Sequence, residues 1–174
     1  MYCKTQLKRN VLFALVGLVV AAALVTGLVL VIRIEPKLLD ENALSGEPQT
    51  VAGLSGYVSY ETPDVCRVKI NCEPVLTDGC ANIYLTSPAE NDVLIRAELY
   101  SVKVVRNEET GEGTFLPDKL LGKTGFIRPG TFVERVKVKG IRPGENTKVM
   151  VKISTMYEDT GTSKGTFYIR TNVN

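Results

Sequence analysis

Cys66, Cys72 and Cys80 are the side chains in this sequence with the most reactive chemistry to offer. Thiols can pair in an oxidising compartment or ligate a metal. Their spacing does not fit a zinc site, and the chain has no histidine to complete one. No metal or cofactor is therefore expected. Cys66 and Cys72 fall on one alternating stretch, which would hold them roughly 20 Å apart if extended. A disulfide needs Cα atoms within about 7 Å. The preferred bridge is Cys72 with Cys80, closing the loop EPVLTDG, and the alternative is Cys66 with Cys80 on neighbouring strands. The remaining thiol is then buried or free to pair with another protein.

Catalytic groupings are absent. Without histidine the commonest general base is missing. There is no G-x-S-x-G elbow, phosphate loop or metalloprotease helix. The carboxylate pairs Glu108-Glu109 and Glu158-Asp159 lie beside turn residues, as solvated loop charges do. The expectation is a protein that is not an enzyme.

Charge is more informative. Residues 35–118 carry 6 basic and 15 acidic residues, and residues 119–152 carry 9 basic and 2 acidic. Arg135, Lys137 and Lys139 alternate with valines, as do Lys148 and Lys152, so each set should face water. Either late basic strands lie beside early acidic ones and the field largely cancels, or these five cations form a basic contact face. Such a face would meet anionic wall polymers, lipid headgroups or the acidic side of another copy. The residues after 34 hold 17 basic and 19 acidic residues, so nucleic acid is not expected as a partner.

The elements that must position these groups are strands. From Gly56 the apolar period is two. Tyr57–Glu61, Val65–Cys72, Ala81–Thr86, Val93–Val105, Lys119–Phe126, Phe132–Lys139, Lys148–Tyr157 and Thr166–Val173 alternate between turn signals. Asp78-Gly79 marks a tight turn, and Asn107–Gly113 a polar hairpin tip. Ile-Arg-Pro-Gly occurs twice, at Ile127–Gly130 and Ile141–Gly144, where proline sets the second turn position and glycine accepts positive φ at the third. Seven or eight short strands of this kind imply an all-β, antiparallel Ig-like sandwich over residues 56–174.

Ahead of the strands stands an uncharged stretch, Val11 to Ile32. As a helix it would be roughly 33 Å long, enough to cross a bilayer. Residues 11–34 are therefore expected to form a transmembrane signal-anchor helix, with 1–10 in the cytoplasm and 35–55 as a stalk. Lys4, Lys8 and Arg9 precede the span and favour a cytoplasmic N-terminus, placing the large domain outside the cell membrane. The apolar run is longer than that of a cleaved signal peptide. Gly17 with Ala21, and Ala23 with Gly27, have the spacing that lets helices approach in lipid.

Several of these motifs occur together elsewhere. Leu39–Ala43 (LDENA), Ile70–Val75 (INCEPV), the Asp78-Gly79 turn, Ala97–Tyr100 (AELY) and Gly125–Gly130 (GFIRPG) follow one another. In this the chain resembles a group of small, membrane-anchored envelope proteins of Gram-positive, Clostridia-like bacteria, over most of residues 39–165. The chain departs from that group in its cysteines and in a longer hairpin around Arg106–Asp118. The resemblance implies an Ig-like surface module with no functional residue to carry over. The expected role is non-catalytic contact, with a protein partner, a second copy or the wall, from a bilayer anchor. The alternatives are an accessory subunit of a pilus, secretion or conjugation apparatus, and a carbohydrate-binding module using exposed tyrosines.

Overall fold

The structure is a computed structural model that describes residues 38–49, 56–62, 65–106, 108 and 110–174. The expected cytoplasmic segment 1–10, the span from Val11 to Ile32, and stalk residues 35–37 and 50–55 lie outside these residues. Among the described residues no helix is long and apolar enough to cross a membrane.

The described chain is all-β and antiparallel. In order, its strands are β1 (Leu44–Ser45), β2 (Tyr57–Thr62), β3 (Cys66–Asn71), β4 (Leu76–Thr77), β5 (Cys80–Ala81) and β6 (Leu85–Ser87). There follow β7 (Leu94–Arg106), β8 (Gly113–Lys123), β9 (Thr131–Val133), β10 (Val136–Lys137), β11 (Thr147–Met156) and β12 (Ser163–Val173). They form a five-stranded sheet β1-β9-β6-β3-β2, a three-stranded sheet β10-β5-β4 and a four-stranded sheet β12-β11-β7-β8. Val68, Ile70, Leu85, Ile95, Ala97, Leu99, Val151 and Ile153, drawn from the five- and four-stranded sheets, share one buried cluster. The period of two puts these apolar side chains on one face of each strand.

Two stretches expected to be single strands are each broken in two. Tyr84 has a φ of 44°, which interrupts the expected strand Ala81–Thr86 into β5 and β6. Its partner Phe132–Lys139 divides at the same level, into β9 and β10. Leu85 pairs with Val133 in one sheet and Ala81 with Val136 in another. The two segments bend together, and Tyr84 N–H bridges the bend to the Glu134 carbonyl at 3.0 Å. Short pieces of this kind raise the strand count from the expected seven or eight to twelve among the described residues.

The compact unit runs from Leu39 to Asn174, so it begins within the expected stalk rather than at Gly56. Leu39 makes a parallel bridge to Phe126, and Leu44 pairs with Phe132. Leu44 and Ser45 were missed because their two-residue strand is too short to show alternation.

Turn chemistry follows the sequence closely. Asp78 and Gly79 both have positive φ, 52° and 73°, as a two-residue hairpin turn of the primed type requires. In the repeated Arg-Pro-Gly turns, Thr131 N–H donates to Arg128 O and Glu145 N–H to Arg142 O, both at 3.2 Å. The β7–β8 hairpin closes at Arg106 opposite Gly113.

Candidate functional site

The four-stranded sheet turns one face to the core. The opposite face carries the side chains of interest in cross-strand rows. Register places Lys123, Glu98, Lys152 and Tyr168 in one row, on β8, β7, β11 and β12. The next row is Leu120, Tyr100, Met150 and Arg170. Alternation on β7 and β11 aims these residues away from the buried Leu99 and Val151.

Glu98 is the electrostatic centre of this face. It is only 8% exposed, and its carboxylate oxygens form ion pairs with Arg96 at 3.2 Å and Lys152 at 3.3 Å. The Arg96 guanidinium also lies over the Phe126 ring, 4.7 Å from its centroid, and its buried Nε has no hydrogen-bond partner among the described residues. Tyr100 donates to Glu98 at 3.3 Å. Burial, and then the Glu98 charge, push its hydroxyl pKa up, so it remains a donor.

Toward the β7–β8 hairpin the same face opens into a cavity of about 270 Å³, lined by Val102, Phe115, Met150, Lys148, Arg170 and Asn172, with Val149 and Thr171. Arg170 and Lys148 both stand over the Phe115 ring, at 5.2 and 5.6 Å from its centroid. Beyond it Val104, Val105 and Leu116 are exposed apolar side chains, and Leu120 is exposed in the Tyr100 row.

The five cations expected to form one basic face are divided by the structure. Lys148 lines the cavity and Lys152 is tied to Glu98. Arg135, Lys137 and Lys139 lie on and around β10, which packs against β8. Lys139 N–H donates to Leu121 O at 2.9 Å, and a Cβ on Gly122 would collide with the Lys137 carbonyl. Lys119 and Lys123 on β8 are exposed near the same edge. The acidic early strands spend their charge locally, Glu61 on Arg67 and Glu47 on Lys69, while Asp92 takes Lys164. Among the described residues no ion pair reaches Lys119, Lys123, Arg135, Lys137, Lys139 or Lys148. Because β9 and β10 belong to other sheets than β11, the lysines of Phe132–Lys139 and Lys148–Tyr157 do not face each other across a strand pair.

The three thiols are free, so no disulfide joins Cys72 to Cys80. Cys80 stands opposite Thr77 and Lys137 across β5. Cys72 lies just past β3, with its Sγ 3.2 Å from the Tyr60 hydroxyl and its carbonyl accepting from Thr171 Oγ1. The Cys72 contact, followed by burial, pushes the Tyr60 pKa up to about 12. Cys66 faces the core as alternation required, and burial pushes its thiol up to about 11. Among the described residues no group of His, Cys, Asp and Glu could hold a metal.

Sequence reasoning missed Phe115 and Arg170. Each lies on an alternating strand, but only the β7–β8 and β11–β12 registers bring them to Lys148. No family model, curated protein or solved structure matches the chain.

Proposed function

We propose that this chain is a single-pass membrane protein, anchored through Val11–Ile32, whose β domain stands outside the membrane of a Gram-positive cell and acts by contact rather than catalysis. The observation that carries this reading is the run of cations on and around β8 and β10 that no ion pair reaches among the described residues. Had the charge halves of the sequence cancelled, the early carboxylates would have engaged them. Instead Lys119, Lys123, Lys137 and Lys139 are exposed, on a surface where β8 also exposes Leu120 and Leu116. A surface that combines cations with apolar side chains suits an acidic protein partner or an anionic wall polymer.

The domain itself is proposed to be an Ig-like sandwich. Support comes from the shared core of the five- and four-stranded sheets, and from the segment at Leu39–Ser45. That segment bridges first to Phe126, beside β7, and then to Phe132 in the five-stranded sheet.

Treating intact cells with a membrane-impermeant amine cross-linker tests the proposal. Labelled protein in discrete higher bands is expected. An unlabelled chain in wall-stripped cells would contradict the topology, and a labelled monomer alone would contradict an assembly.

A further inference from the structure

We propose that the cavity over Phe115 is a binding site for a small organic anion, a phosphate or carboxylate on an apolar body of about one ring or a short alkyl chain. Three observations converge on this. The cavity measures about 270 Å³, at the small end of ligand sites. Its apolar lining comes from Val102, Phe115 and Met150, which gives a ligand body somewhere to leave water. Two cations, Arg170 and Lys148, converge on one ring at 5.2 and 5.6 Å from its centroid, and no carboxylate pairs with either among the described residues.

The ring supports both cations through its quadrupole but neutralises neither. An anion placed between them gains charge-assisted hydrogen bonds from the Arg170 guanidinium and the Lys148 ammonium together. Asn172 at the rim adds an amide that can donate to the same group. A neutral ligand of the same body would gain only the apolar lining. This goes beyond contact through the β8–β10 surface, since it assigns a concave site spanning all four strands of the sheet near the β7–β8 hairpin.

The chain has three methionines, of which Met150 lines the cavity and Met156 lies at the other end of β11. The test is methyl-13C methionine NMR of the full chain in nonionic micelles, where neither topology nor a macromolecular partner enters. Phenyl phosphate should move the Met150 signal saturably and leave Met156 unmoved. Benzyl alcohol should bind at least about tenfold more weakly, and Lys148→Gln or Arg170→Gln should each weaken phenyl phosphate by about tenfold. An unshifted Met156 signal in each variant reports that the fold is intact. In nanodiscs containing phosphatidic acid, a Met150 signal already moved before any addition identifies a lipid headgroup as the source. A shift only on adding phenyl phosphate identifies a soluble one. A Met150 signal that ignores phenyl phosphate, moves equally with benzyl alcohol or is indifferent to both substitutions would overturn the proposal.

Discussion

Gly125 donates its backbone N–H to the Asp40 carboxylate at 2.7 Å, while Asp40 returns its own N–H to the Phe126 carbonyl at 2.8 Å. This reciprocal pair ties the beginning of the compact unit to the chain that follows β8. A Cβ at Gly125 would stand 2.6 Å from the Asp40 nitrogen, and the atom in the way is backbone.

Gly125→Ala should therefore force the Leu39–Asp40 segment off the domain. Asp40→Ala should cost about 1–2 kcal/mol, the range for a hydrogen bond to a charged group that is partly solvated. Gly125→Ala should cost at least as much, because it removes both hydrogen bonds of the pair. Urea unfolding of the full chain measures both. Equal stability of Gly125→Ala and the parent would show that the segment contributes nothing.

Glu98 offers a second test. Replacing it with glutamine leaves Arg96 and Lys152 facing each other without a counter-charge. Both cations are 29% exposed at the side chain, so solvent softens the penalty below that of a fully buried pair, to about 1–3 kcal/mol. Glu98→Leu combined with Lys152→Met should cost less than Glu98→Leu alone, since an apolar replacement of both partners leaves fewer stranded charges. Strictly additive losses would contradict the triad.

Acid should weaken the clasp between Asp92 and Lys164, whose atoms approach to 2.8 Å. The hydrogen bond from Lys164 holds the Asp92 carboxyl below its ordinary value. A carboxyl depressed in the folded state adds stability above its unfolded pKa of about 3.9, and that contribution is lost as pH falls through the folded value. Asp92→Asn should lower stability slightly above about pH 4, where the carboxylate is charged, and match the parent in stronger acid, so that the acid limb flattens. An identical acid limb would remove the pair from the account.

Cys66 should be the slowest thiol to alkylate. Burial raises it from 9.0 to about 11, so little thiolate forms near neutral pH. The unfolded chain ionises first, and stability should fall as pH rises through that interval. Mass mapping after brief iodoacetamide treatment should find Cys80 modified ahead of Cys66. Cys66 reacting first would mean that β3 does not hold it against the core.

The sequence made the long, strongly alternating strands legible. Val93–Val105 and Lys148–Tyr157 correspond to β7 and β11 within a residue or two, because a buried row at i, i+2, i+4 leaves a clear pattern. The turns at Asp78-Gly79 and the two Arg-Pro-Gly sites were legible because positive φ needs particular residues. The break at Tyr84 was not, since nothing local in a tyrosine announces a φ of 44°; it coincides with the bend bridged by the Tyr84 N–H to the Glu134 carbonyl. Lys148 was visible as a cation on a strand, but its convergence with Arg170 on Phe115 depends on cross-strand register, which a single chain does not display. Asn71 next to the buried Ile70 is itself buried, against simple alternation on β3, with its amide spent on Asn82 O and Glu73 N–H.

The most direct test of contact through the β8–β10 cations compares two sets of substitutions at Lys119, Lys123, Lys137 and Lys139 in cross-linked intact cells. Arginine keeps the charge and removes the amine, and glutamine removes both. Other lysines, including Lys69 and Lys103, still take the linker. Higher bands retained by the arginine variant and lost by the glutamine variant are the predicted result. Bands retained by both would contradict a role for this charge in holding the partner.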